Sequence, residues 1–115
     1  MINPMNEYLL ELENIVESNF NEDTFEDRAR EISLLIKSCD EYIQLAAMCR
    51  WVKFQDEQRA IDLAHDFIDR AVEICVSNKD LEKLNVIIQE LEFGMELEER
   101  ASEVREILAE LETNS

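Results

Sequence analysis

The single histidine, His65, lies between Asp62 and Asp66, with Asp62 three residues before it and so one helical turn away. A carboxylate at that spacing can raise an imidazole's pKa or supply a second metal ligand. Either use needs further partners. One histidine builds a zinc site only with cysteine neighbours, and none is close to it in sequence. Di-iron bundles repeat a Glu-x-x-His motif, and a lone Asp-x-x-His falls short of that. The expectation is a structural histidine, surface or half-buried. The three thiols, Cys39, Cys49 and Cys75, are odd in number and far apart, with no C-x-x-C pair. That spacing argues against a disulfide framework or a zinc site and points to buried, reduced cysteine in a cytoplasmic protein. His65 could in principle serve Cys39, Cys49 or Cys75 as a base, but Cys49 and Cys75 fall on apolar stripes. With one glycine in the chain there is no glycine-rich phosphate loop. No catalytic residue, metal ligand or cofactor is expected, and the chain is read as non-enzymatic.

Recognition is the chemistry that remains. Tyr42, Met48, Arg50, Trp51, Lys53 and Phe54 fall within one short stretch, and aromatic rings with a flexible thioether suit the gripping of a partner helix or peptide. The two cations interleaved with Trp51 and Phe54 imply that one face there reaches water, although a core role competes for the same rings. A second candidate surface is acidic. Glu7, Glu11, Glu13, Glu17, Glu22, Asp23, Glu26 and Asp27 all precede the first basic side chain, Arg28. Such a run can imitate a phosphate backbone and block a basic nucleic-acid-binding or toxin site, as an inhibitor or immunity protein does, or it can simply keep a helix face solvated.

The elements that must position these residues are helices. One glycine and one proline in 115 residues leave little material for turns and strand corners. Asn3 can cap a helix that begins at Pro4 and carries Met5, Tyr8, Leu9, Leu12, Ile15 and Val16 on one face. Thr24 with Asp27 resembles a capping box and opens a second helix with the stripe Phe25, Ala29, Ile32, Leu35 and Ile36. Ser38 with Glu41 opens a third, apolar almost all round from Tyr42 to Phe54 and therefore central, covered within the chain or by a second copy. Asp56 caps the fourth and longest helix, which is expected to run to about Val76 with Ala60, Leu63, Ala64, Phe67, Ala71, Ile74 and Cys75 inward. Ser77 with Asp80 repeats the capping pattern before a fifth helix bearing Leu81, Leu84, Ile87, Ile88 and Leu91. Gly94 stands where a left-handed helix end is wanted, and the sixth helix carries Leu97, Ala101, Val104, Ile107, Leu108 and Leu111. Connections of roughly two to five residues make neighbouring helices antiparallel. The expected architecture is one all-α domain over residues 1–115, three helix hairpins stacked as a short α-solenoid or closed into a bundle.

Charge narrows the partners. The net charge of −17 is unevenly spread, at −7 over residues 1–36, −3 over 37–83 and −7 over 84–115. Direct binding to nucleic acid or to an anionic membrane surface needs clustered Lys and Arg, so neither is expected. A basic or amphipathic protein or peptide is favoured, and a homo-oligomer stays open. No signal peptide is visible at the N-terminus, and no apolar run approaches the roughly 20 residues of a spanning helix.

A faint internal repeat supports the hairpin reading. Arg28-Ala29, Arg59-Ala60 and Arg100-Ala101 are each placed near the start of the second helix of a pair, each followed by an apolar stripe. The segment from Trp51 to Ala71, WVKFQDEQRAIDLAHDFIDRA, resembles the middle of a tetratricopeptide repeat through Trp51, Lys53, Asp56, Ala60, Ile61 and Asp62. It departs from the family at Met48 and Gln55, where glycines would fall, and near Val72, where a proline would. The resemblance implies a short superhelix whose concave side binds a peptide or helix of another protein. Small acidic secretion chaperones built of such repeats are the functional analogy.

Overall fold

The computed structural model describes residues 7–18 and 20–113, and within them the chain forms six α-helices and no strand. They are α1 (Glu7–Ser18), α2 (Glu22–Ser33), α3 (Cys39–Trp51), α4 (Glu57–Asn78), α5 (Leu81–Gln89), which widens into a π-helical turn over Glu90–Gly94, and α6 (Glu98–Thr113). The Asn3-Pro4 start and Met5 lie outside the described residues.

Capping explains most of the boundaries. Ser38 and Glu41 form the expected capping box, the Ser38 hydroxyl accepting from the Glu41 N–H at 3.2 Å while the Glu41 carboxylate accepts from the Ser38 N–H at 3.2 Å. Asp56 caps α4 by accepting from the Arg59 N–H. Two starts differ from the expectation. Asn21, in extended conformation, caps α2 by accepting from the Thr24 N–H at 3.0 Å, so Thr24 lies inside the helix. Ser77 lies inside α4, and Asp80 alone caps α5. The end of α4 supplies the reason. Lys79 takes the left-handed conformation (φ 54°), and its N–H and that of Asp80 bond back to the Val76 and Cys75 carbonyls. Gly94 is not left-handed; the positive φ in that region belongs to Glu96, at 56°.

Each helix buries the stripe its spacing predicts, with two exceptions. Leu9, Leu12, Phe25, Ala29, Ile32, Leu45, Ala46, Cys49, Ala64, Ile68, Leu84, Ile87, Leu91, Ala101 and Val104 lose essentially all solvent contact. Leu35 falls beyond the end of α2 and is exposed, as is Leu34. Trp51, at the end of α3, is half exposed.

The helices lie in two layers. The molecule measures 48 × 33 × 23 Å, and its thinnest dimension is about two helix diameters. Consecutive helices pack on one another, α3 against α4 most extensively. Ion pairs join the even-numbered helices to each other: Arg59 of α4 reaches Glu26 and Asp23 of α2 at 2.7 Å, Arg30 of α2 reaches Asp66 of α4 at 3.2 Å, and Arg100 of α6 pairs with Asp69 of α4. On the other layer Lys83 of α5 meets Asp40 of α3 at 2.6 Å.

The Arg-Ala dipeptides divide along the same lines. Ala29, Ala60 and Ala101 are all buried, where a small side chain allows close helix approach. Arg59 and Arg100 each stand third in their helix and bridge to the preceding even-numbered helix. Arg28 is instead mid-helix in α2 and donates to both carboxylate oxygens of Glu11 of α1 through Nε and Nη2. The shared register is therefore that of Arg59 and Arg100.

Candidate functional site

The residues singled out for partner binding lie along α3 and the connection that follows it, and they are divided between two environments. Tyr42 is core: its hydroxyl donates to the Ser33 carbonyl at 2.5 Å and lies 3.3 Å from the Ile36 carbonyl, tying α3 to the end of α2. Phe54 is core as well. It turns inward after α3 ends and meets the Phe25 ring edge-on at 5.8 Å and the Phe20 ring at 5.6 Å, with Phe20 and Phe25 themselves 5.9 Å apart. Both are fixed by the turns between helices, which a periodicity reading does not register.

Met48, Trp51 and Lys53 lie together at the surface. With Val16 of α1, Phe20 of the α1–α2 connection, and Ala47 and Val52, they line a groove of about 750 Å³ between α1 and α3. The stripe along α3 is produced by helical spacing: Gln44, Ala47, Met48 and Trp51 recur at three- and four-residue steps on the one side that neither α2 nor α4 covers. Ala47 also lines a smaller depression of about 300 Å³ between α3 and α5, with Ile43, Val86 and Ile87. A small residue between the two hollows leaves them separated by little more than backbone. The walls of the larger groove are apolar, and its rim holds the carboxylates Glu13 and Glu17 and the single cation Lys53.

Trp51 is held in place despite being 52% exposed. Its indole N–H donates to the Gly94 carbonyl at 2.8 Å, and the Arg50 guanidinium lies over its ring at 4.6 Å. Arg50 in turn donates from Nε to the Met95 carbonyl at 2.9 Å. The helix end makes these bonds available. The π-helical turn closes with the Met95 N–H on the Glu90 carbonyl, and the Gly94 and Met95 carbonyls that follow are the free acceptors of a helix C-terminus. Phe93, on the same turn, is 78% exposed.

Comparison with known protein families, with curated proteins and with solved structures returned no match. The site is therefore read from its own chemistry.

The acidic run separates into two sets. Glu11 is paired with Arg28, and Glu22, Asp23 and Glu26 surround Arg59. Hydrogen bonding from Arg28 holds the Glu11 carboxyl below the usual range, and hydrogen bonding from Arg59, with Arg30 adding to it, does the same for Glu26. These carboxylates join helices. Glu7, Glu13, Glu17 and Asp27 make no ion pair among the described residues, and two of them stand on the groove's rim. Half of the acidic run is thus engaged in joining helices.

His65 is half-buried on α4 and borders a shallow hollow shared with Gln58, Ile61 and the start of α6. Its sequence neighbours are engaged elsewhere: Asp62 accepts from the Gln58 amide at 2.8 Å and Asp66 pairs with Arg30. Among the described residues no three His, Cys, Asp or Glu converge as a metal site, and no helix is long and apolar enough to cross a membrane. The sequence reading missed Val16 and Phe20 as groove residues. Val16 belongs to an α1 stripe that looks like core, and Phe20 to a connection that carries no periodic signal.

Proposed function

We propose that the protein is a non-enzymatic binding module, adaptor- or chaperone-like, that holds an amphipathic helix or peptide of a partner protein in the groove between α1 and α3. The observation that supports this reading is the pairing of apolar walls with an acidic rim in one groove. Apolar walls take up side chains recurring at three- and four-residue spacing. Glu13 and Glu17, backed by a net charge of −17, select Lys or Arg at the flanks of that segment and oppose a second copy of the chain. Trp51 is already oriented by Arg50 and Gly94, so little side-chain freedom is lost when it is contacted, whereas Met48 adapts its shape to the occupant. The resemblance of residues 51–71 to a tetratricopeptide repeat is in keeping with the same use.

Trp51 is the only tryptophan, and its emission reports on the groove directly. Amphipathic helical peptides with one common apolar face, flanked either by Lys and Arg or by Glu, are titrated against the full chain. The basic-flanked series is expected to shift and saturate the emission, to survive about 1 M NaCl with reduced affinity, and to weaken at least tenfold in Met48→Glu. An emission that no peptide moves, or Met48→Glu binding as well as the parent, would overturn the reading. The charge-mimic alternative rests on Glu7, Glu13, Glu17 and Asp27. It requires binding that vanishes in high salt and on reversal of those four charges while Met48→Glu leaves it intact.

A further inference from the structure

The three cysteines are all free and buried, but they are not equivalent. Cys39 is the first residue of α3 and Cys75 lies in the last turn of α4. Because the two helices run antiparallel, both stand at the same end of the hairpin, with their sulfurs 3.1 Å apart. Cys49, farther along α3, is outside this pair and fully enclosed. We propose that Cys39 and Cys75 form an oxidisable dithiol that a peroxide converts into an intramolecular disulfide.

Three features of the fold support the pairing. A disulfide needs the sulfurs at about 2.05 Å, so closure calls for a movement of roughly one ångström. Each cysteine is anchored by a helix end: Cys39 follows the Ser38 capping box, and the Cys75 carbonyl accepts from the Asp80 N–H at 2.9 Å. Access is one-sided. Cys39 borders the depression between α3 and α5, beside Asp40 and Lys83, and retains 8% of its exposure against 1% for Cys75. Cys39 is therefore the residue a small oxidant meets first.

The chemistry closes without a further reactant. Cys39 loses its proton, and its sulfur attacks one oxygen of hydrogen peroxide. The O–O bond breaks, hydroxide leaves and takes up a proton, and Cys39 becomes a sulfenic acid. The Cys75 sulfur then attacks Cys39 Sγ, the S–O bond breaks, and the departing hydroxide carries off the Cys75 proton as water. Two thiols are oxidised by two electrons in all, and one peroxide is reduced to two waters. Burial raises the Cys39 thiol and pushes Cys75 up to about 12, so the reaction is slow at neutral pH and quickens as pH rises.

The test uses the reduced full chain and hydrogen peroxide, followed by quenching, denaturation, alkylation and mass spectrometry. The expected product is monomeric and lighter by two hydrogens. It takes one alkyl group, on Cys49, and yields a linked peptide pair containing Cys39 and Cys75. Its thermal midpoint rises by on the order of 10 °C, because the bond closes a long loop in the unfolded chain. Cys49→Ala should give the same linked pair and take no alkyl group. Alkylation of all three cysteines after peroxide, a terminal sulfinic acid on Cys39, a covalent dimer, or a linked product that melts below the reduced protein would each overturn the proposal.

Discussion

Phe25→Ala tests the cluster on which the groove rests. Phe25 has no solvent contact and touches two other rings, Phe20 from the α1–α2 connection and Phe54 from the α3–α4 connection. Truncation removes a fully buried benzyl group and leaves a cavity beside the Phe20–Phe54 contact, which costs about 4 kcal/mol. At roughly 0.1 kcal/mol per residue, a chain of 115 residues has about 11 kcal/mol in total, so the variant still folds with a third of its stability gone. Urea unfolding followed by far-ultraviolet circular dichroism should show an unchanged slope and, for a slope of about 1.5 kcal/mol/M, a midpoint lower by about 2.5 M. The edge-to-face contact with Phe54 adds a coupling of about 1 kcal/mol in a double-mutant cycle with Phe54→Leu. A cost below about 1 kcal/mol for Phe25→Ala, or simple additivity of the two substitutions, would refute this role for the ring cluster.

Other consequences are cheaper to check. Ser38→Ala removes the acceptor for the Glu41 N–H and should lower stability by about 1 kcal/mol, with the thermal midpoint falling a few degrees. Glu26 has its folded pKa depressed by Arg59 and Arg30, so its contribution is present above the unfolded value and is lost as pH falls through the folded one. Glu26→Gln should therefore be less stable than the parent at pH 7 and should lose less on acidification below about pH 4.3, as read from melting curves across that range. Raising NaCl from about 0.01 to 0.3 M should raise the thermal midpoint of the parent, because screening relieves repulsion within a chain of net charge −17; a fall would mean that the bridging ion pairs outweigh it.

The helices were legible because apolar spacing and capping residues are local signals. Ser38, Glu41 and Asp56 declare their role within four residues. The misplaced boundaries arise where two local signals compete. Asn21 wins over Thr24 because its extended backbone places the side-chain acceptor on the first free N–H groups, and Ser77 yields because the helix it sits in can continue to the left-handed turn at Lys79. The site was half legible. Composition drew notice to Met48 and Trp51, but it could not separate them from Tyr42 and Phe54, whose burial is decided by the connections and by α2. The proximity of Cys39 and Cys75, thirty-six residues apart, depends on how far two antiparallel helices extend past one another, and no spacing rule carries that information.

The wide turn over Glu90–Gly94 has a mechanical consequence. It sends Leu91 and Met95 into the interior while its terminal carbonyls hold the indole and guanidinium at the tip of α3. A tilt of the Trp51 ring must stretch the tether to Gly94 or drag that residue along, and Met95, one position on, is wedged in the packed centre that α6 also shares. Displacing the Trp51 ring therefore means breaking its bond to Gly94 or moving the turn that leads into α6.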